Sequence, residues 1–245
     1  MKRIELNGNV VRNGDSFFYD FFGIDCISPE KVSKLTKDAN GEELEVVINS
    51  PGGDVFSGIQ IYDILMSYPA KVTVRVQSIA ASAASVIAMA GRPTVMSPVA
   101  QLMIHNVSSS AYGDYRDMDH MSEVLQSLNS SLAQAYKLKS GMADEEIKSI
   151  MDAETWFTSL EAQRRKLCDE IAYPEGYQGE ELSEGFMNSL AEANRKAAAY
   201  SVTPDISKLK QMYNDQIAQQ EKEKQKACAI AKAELDLLEL EGETA

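Results

Sequence analysis

Leu44-Glu45-Val46-Val47-Ile48-Asn49-Ser50-Pro51-Gly52-Gly53-Asp54-Val55 is the stretch that decides the fold. Leu44–Ile48 is a short β-branched run ending in turn residues, which reads as a buried strand. Gly52-Gly53 supplies a tight turn, and Asp54 can cap a helix start. Val55, Ile59, Tyr62 and Met66 then step by 4, 3 and 4, one face of a helix. Val72–Val76 is a second β-branched strand. Strand, turn, helix and strand in this order build parallel sheets, so an α/β architecture is expected.

Working outward, the second strand leads through Ser78-Ile79-Ala80-Ala81-Ser82 into a small-residue helix, Ser82 to about Ala90, closed by Gly91 with Pro93 beyond. Thr94–Met96 and Gln101–Ile104 are short strand candidates. From Asp117 to Lys139 a stripe of Met118, Met121, Leu125, Leu128, Leu132 and Ala135 marks a long helix, ended by Ser140-Gly141. Its apolar face can lie on its own domain or pack on a partner. Ala143–Met151 reads as a short helix, Trp156-Phe157-Thr158 as a return strand, and a helix follows from Ser159. Near Tyr173-Pro174 the compact part ends. This gives a domain over 1–173 and a polar extension over 174–245, helical from about Ile206 to Leu240.

The composition narrows the function. The 245 residues are 44% hydrophobic and 25% charged, ordinary for a globular protein with one sizeable core. A net charge of −13 without a basic stripe argues against nucleic acid. No apolar run reaches the roughly 18–20 residues of a membrane span. Met1-Lys2-Arg3-Ile4-Glu5 does not open a secretory signal. The scattered cysteines Cys26, Cys168 and Cys228 suggest a reducing compartment and lack metal-ligand spacing, so a cytoplasmic location with no metal and no cofactor is expected.

Three motifs in order carry chemistry: Pro51-Gly52-Gly53, Ala80-Ala81-Ser82, and Met103-Ile104-His105. A serine at a helix start is ordinarily a cap. Here small neighbours leave room for a substrate backbone, and a helix N-terminus favours negative charge. Ser78 and Ser85 compete for the role, but Ser85 lies one turn inside the helix, where a hydroxyl bonds back to a carbonyl. Only two histidines exist. His120 falls on the exposed part of the long helix, whereas His105 ends an apolar strand, where active-site groups emerge. The Gly53 and Ala83 N–H groups can form an oxyanion hole. A third, acidic group should orient the imidazole, and the residues alone leave both Asp152 and Glu154 open.

From about Ile4 to Ile171 these motifs, with Glu161-Ala162 and the Asp169-Glu170-Ile171 ending, resemble the proteolytic subunits of the Clp proteases. The similarity is greatest to the phage and prophage branch of head maturation proteases. The resemblance implies a crotonase/ClpP-like fold of repeated β-β-α units with a long projecting helix, plus a C-terminal helical extension. It assigns Ser82 as nucleophile, His105 as base, and Gly53 and Ala83 as the oxyanion hole. Matching on Trp156-Phe157-Thr158 puts Glu154 at the acidic position, with Asp152 as runner-up. It further implies a homo-oligomer of seven-membered rings, stacked through the long helix. Its substrates would be capsid or scaffold proteins, cleaved in the host cytoplasm if the protein is phage-encoded, with an ATP-dependent unfoldase as an optional partner.

The chain departs from the family pattern in four places. Gln77-Ser78-Ile79 stands where a glycine is usual, Ala83-Ala84 follows the serine in place of Met-Gly, Glu154 stands where an aspartate is usual and is one methylene longer, and Lys166 replaces a late glycine. Two other readings compete: a crotonase-like acyl-CoA enzyme, which needs no serine, and a catalytically degenerate assembly protein.

Overall fold

The computed structural model describes residues 1–172 and 205–242, with side chains in the second segment as far as 226. The chain divides into two units, Met1–Val202 and Thr203–Ala245. The expected boundary between residues 173 and 174 lies outside the described residues. Within the second unit, Ile206–Gly242 is one helix, close to the expected Ile206–Leu240.

The first unit is mixed α/β around a mostly parallel seven-stranded sheet. In chain order come β1 (Lys2–Asn7), β2 (Asn9–Val10), α1 (Asn13–Phe21), β3 (Cys26–Ile27), α2 (Pro29–Asp38), β4 (Leu44–Ser50) and β5 (Val72–Ala81); β1 lies at the sheet's edge and pairs in parallel with β4, which pairs in parallel with β5. Helix α3 (Val55–Met66) makes the crossover between β4 and β5, and Asp54 caps it by accepting from the Ser57 N–H at 2.9 Å. The core is built where these strands meet α3 and α4 (Ala83–Ala88): Val46, Ile48, Ile61, Val74, Val76, Ala84 and Ile87 are fully buried. Small residues along α4 let that helix approach α3 so closely that a Cβ on Gly58 would stand 3.0 Å from the Ala83 Cβ.

The strands expected to be buried are fully so along one face; on the other, Val47 is buried but its neighbours Glu45, Thr73 and Arg75 are only half-buried. Across the other face Arg3, Glu45 and Arg75 line up, with Arg75 Nε 3.0 Å and Arg3 3.7 Å from the Glu45 carboxylate. Parallel pairing aligns these charges from segments distant in sequence, which no local pattern reveals.

Strand β5 is forked. Val74–Val76 pairs with β6 (Thr94–Met96), whereas Ile79–Ala81 pairs with β7 (Gln101–Ile104). At the fork the β4–β5 register shifts between Ile48 and Ser50, so that Ser50 pairs with Ala80. Such a bulge re-aims the strand that follows, here the one running into Ser82. Strand β8 (Thr155–Thr158) returns antiparallel on β7, and β9 (Glu170–Ile171) adds beside β6. Lys166, in place of the family glycine, holds φ +58°, a conformation glycine would take without strain.

The long helix α5 spans Tyr115–Ser140, capped by Asp114 and ended by Gly141 at φ +73°. Its single stripe serves two environments. Leu132, Ala135 and Tyr136 are buried in the core, whereas Met118 is exposed and Met121, Leu125 and Leu128 are half-buried. His120 is exposed, as expected. Among the described residues no helix is long and apolar enough to cross a membrane.

Candidate active site

The bulge in β5 and the short helix α4 meet at Ser82, whose backbone sits at φ +54°, ψ −125°. A side chain rarely adopts this conformation, which is held here from several sides. The Ser82 N–H donates to the Met103 carbonyl on β7 at 3.0 Å. Beneath the turn, the Pro51-Gly52-Gly53 loop packs so closely that a Cβ on Gly52 would stand 2.5 Å from the Ala81 oxygen and 2.7 Å from the Ser82 Cβ. Only glycine admits that approach.

His105 follows the last residue of β7 and turns its Nε2 to the Ser82 Oγ at 2.7 Å. This is the contact a base needs to take a hydroxyl proton. Burial pushes the imidazole below its ordinary value, and the Glu154 carboxylate pulls it part of the way back. Glu154 reaches this position through strand pairing. Ile104 pairs with Thr155 across β7 and β8, so the residues just beyond them, His105 and Glu154, come side by side. Glu154 also carries a left-handed backbone, φ +46°. Asp152 is otherwise engaged: its Oδ1 accepts from the Asn106 Nδ2 at 2.8 Å. Sequence reasoning did not foresee that pair, nor Asn129, whose Oδ1 accepts from the Val107 N–H at 2.7 Å and ties the segment after His105 to α5. Nothing in the helical periodicity marks either asparagine, since each acts through its amide across the fold.

Gly53 and Ala83 flank Ser82 in one cleft of about 380 Å³. Among the described residues neither N–H finds an acceptor. Unpaired donors beside a hydroxyl suit an oxyanion that forms only during reaction. Gly53 itself is locked by Val10: the Val10 N–H donates to the Gly52 carbonyl at 2.8 Å, and the Asp54 N–H to the Val10 carbonyl at 2.8 Å. The far wall of the cleft is apolar, made by Met121, Val124, Leu125 and Leu128 of α5. Ser78, the other competitor, hydrogen-bonds Asn49 at 2.6 Å on the outer side of the fork. Among the described residues no cluster of three or more His, Cys, Asp or Glu side chains could hold a metal ion.

A serine hydroxyl touching an imidazole, with free backbone donors beside it at the end of a mostly parallel sheet, is an arrangement that can support nucleophilic acyl transfer. The family model described as Clp protease matches residues 29–175, more than half of the chain, and the chain belongs to that family. An ATP-dependent Clp protease proteolytic subunit of Bacteroides fragilis is 31% identical over 133 residues, covering 54% of this chain and 64% of the relative. A proteolytic subunit 1 of Chlamydia abortus is 31% identical over 138 residues, 54% of this chain and 71% of the relative. That of Chlamydia muridarum is 30% identical over 149 residues, 59% and 77% respectively. The chain thus spans somewhat under two thirds of the length of the Bacteroides relatives it matches, 64% and 60% in two strains of Bacteroides fragilis.

Proposed function

We propose that this protein is a serine endopeptidase in which Ser82 attacks a peptide carbonyl. What carries the reading is the 2.7 Å contact between Ser82 Oγ and His105 Nε2, made in a cleft with two unpaired backbone N–H groups. His105 takes the hydroxyl proton as the C–O bond forms. The carbonyl oxygen becomes an oxyanion held by the Gly53 and Ala83 N–H groups. His105⁺ then protonates the leaving amine, and water releases the acyl group by the reverse sequence. Glu154 stabilises the imidazolium through its charge. The apolar wall of α5 would hold substrate side chains. The peptidase domain is 1–173, and 174–245 is an extension to it. The reading is tested by incubating purified protein with unfolded casein, without ATP: peptide release supports it, and intact casein together with intact small fluorogenic peptides overturns it.

The motif resemblance to the head maturation branch extends the reading to capsid or scaffold proteins as substrates, acted on by rings of seven, stacked in pairs, in the cytoplasm. An unfoldase would be needed only for folded substrates. Met118, exposed on the same stripe but outside the cleft wall, suits a contact between rings, since apolar surface of this kind needs a partner. Met118→Asp is therefore expected to shrink the assembly on a sizing column. Elution at the wild-type position would contradict the ring contact.

The base must be neutral to act. Because burial holds the His105 pKa below about 6.5, kcat/KM should stay level through neutral pH and fall only below that value. Glu154 raises this pKa, so Glu154→Gln should move the acid limb to still lower pH while lowering the plateau. Asp152→Asn should leave the limb in place. The opposite pattern would make Asp152 the acidic partner.

A further inference from the structure

One hydrogen-bonded chain behind the nucleophile has no part in the steps above. The Ser82 carbonyl accepts twice, from the Ser85 N–H at 2.9 Å and from the Ser85 Oγ–H at 2.6 Å. A hydroxyl has one proton to give. Ser85 spends it on that carbonyl, so the 2.8 Å contact between Ser85 Oγ and the Tyr136 hydroxyl has Tyr136 as donor. Ser85 is fully buried and Tyr136 is 2% exposed, so neither hydroxyl has water as an alternative. Burial also pushes the Tyr136 phenol far up, which keeps it protonated as a donor at any working pH.

Taken singly, each bond has an ordinary explanation: a helix serine bonding back to a carbonyl, and a buried phenol finding an acceptor. The carbonyl in question is not an ordinary one. Ser82 C=O and Ala83 N–H belong to the same peptide unit, and in a trans peptide they point in opposite directions. Clamping the carbonyl from behind fixes the plane and sends the N–H forward, into the cleft that Ala83 lines. The clamp acts where the backbone least holds itself, beside a residue at φ +54°. A carbonyl accepting two hydrogen bonds also polarises its own amide, which strengthens the N–H as a donor.

We propose that Ser85 and Tyr136 are positioning residues that aim the Ala83 N–H at the oxyanion, with Tyr136 tying that donor to helix α5. The inference rests on the peptidase reading above. Through it, the helix that walls the cleft also sets the geometry of the oxyanion hole: Tyr136 lies one turn beyond Leu132, and both line the same cleft.

The test is saturation kinetics of inactivation by a fluorophosphonate, whose phosphoryl oxygen takes the oxyanion position. The full-length wild type, Tyr136→Phe, Ser85→Ala and the double variant are compared. Each single change should lower the maximal inactivation rate by about tenfold, short of the 10²–10³-fold that follows outright removal of an oxyanion donor. The half-saturating concentration and the acid limb set by His105 should not move. Because the two residues act in series, the double variant should be no slower than Ser85→Ala. Unchanged rates with only a lower melting temperature would reduce the pair to a core hydrogen bond. Losses that multiply in the double variant would also overturn the relay. If Tyr136→Phe fails to fold, Ser85→Ala, which removes one oxygen, decides alone. A wild type inactivated as fast as its variants overturns this proposal and leaves the peptidase reading standing; a wild type not inactivated at all overturns both.

Discussion

Ser82→Ala is expected to fold and assemble as the wild type does and to lose casein cleavage by about 10⁶-fold, the scale seen when a serine nucleophile is removed and binding remains. The hydroxyl contributes little to the fold, since its partner is the His105 ring at the cleft surface. What the residue does cost is backbone strain at φ +54°. That makes a second comparison informative. Ser82→Gly is equally inactive but relieves a conformation worth about 1–3 kcal/mol, against about 0.5–1 kcal/mol of added chain entropy. It should be about 1 kcal/mol more stable than Ser82→Ala, which is about 2–4 °C in melting temperature for a domain of this size. Equal melting temperatures would mean the turn is not strained.

Gly53→Ala is expected to damage the fold and the site together. The added Cβ would lie 2.1 Å from the Val10 carbonyl oxygen, at φ +144°, so the backbone must move. Movement breaks the two 2.8 Å hydrogen bonds that join Val10 to this loop and displaces the Gly53 N–H from the cleft. Labelling of Ser82 by a fluorophosphonate should slow by about 10²–10³-fold, the cost of one lost oxyanion donor. Stability should fall by about 2–4 kcal/mol, from strain and two broken bonds together. The variant is to be assayed below its melting temperature, so that a slow rate reports the donor and not unfolding. Wild-type labelling would exclude Gly53 from the oxyanion hole.

The parts of the fold legible in the sequence are those where one element has one environment. The β4–α3–β5 unit, the strands Thr94–Met96 and Gln101–Ile104, and the end of α5 at Gly141 are marked by periodicity and turn chemistry alone. The parallel pairings of β1 with β4 and of Val10 with Gly53 left no local mark, because their partners lie about 40 residues away. The forked β5 was equally hidden: only Val72–Val76 reads as a strand, whereas β5 runs on to Ala81 and its two halves have different neighbours. The stripe on α5 identifies Leu132 and Leu125 alike, though one is core and the other half-buried in the cleft wall.

At the site, residue types and order singled out Ser82, His105, Gly53 and Ala83, since only Ser78 and Ser85 compete within the serine motif and only two histidines exist. The residues alone left Asp152 and Glu154 open and the resemblance pointed to Glu154; the strand register, invisible in the sequence, sets Glu154 beside His105 while Asp152 bonds Asn106. Tyr136 was invisible as anything but core. Its proposed role lies in a hydroxyl contact spanning 51 residues.

The measurement that bears most directly on the central claim is the intact mass of the wild-type protein after treatment with a fluorophosphonate at neutral pH, followed by peptide mapping. A single adduct per chain, located on Ser82, is the result expected of a hydroxyl activated by His105. No adduct, or an adduct on any other serine, would contradict the assignment of Ser82 as the nucleophile.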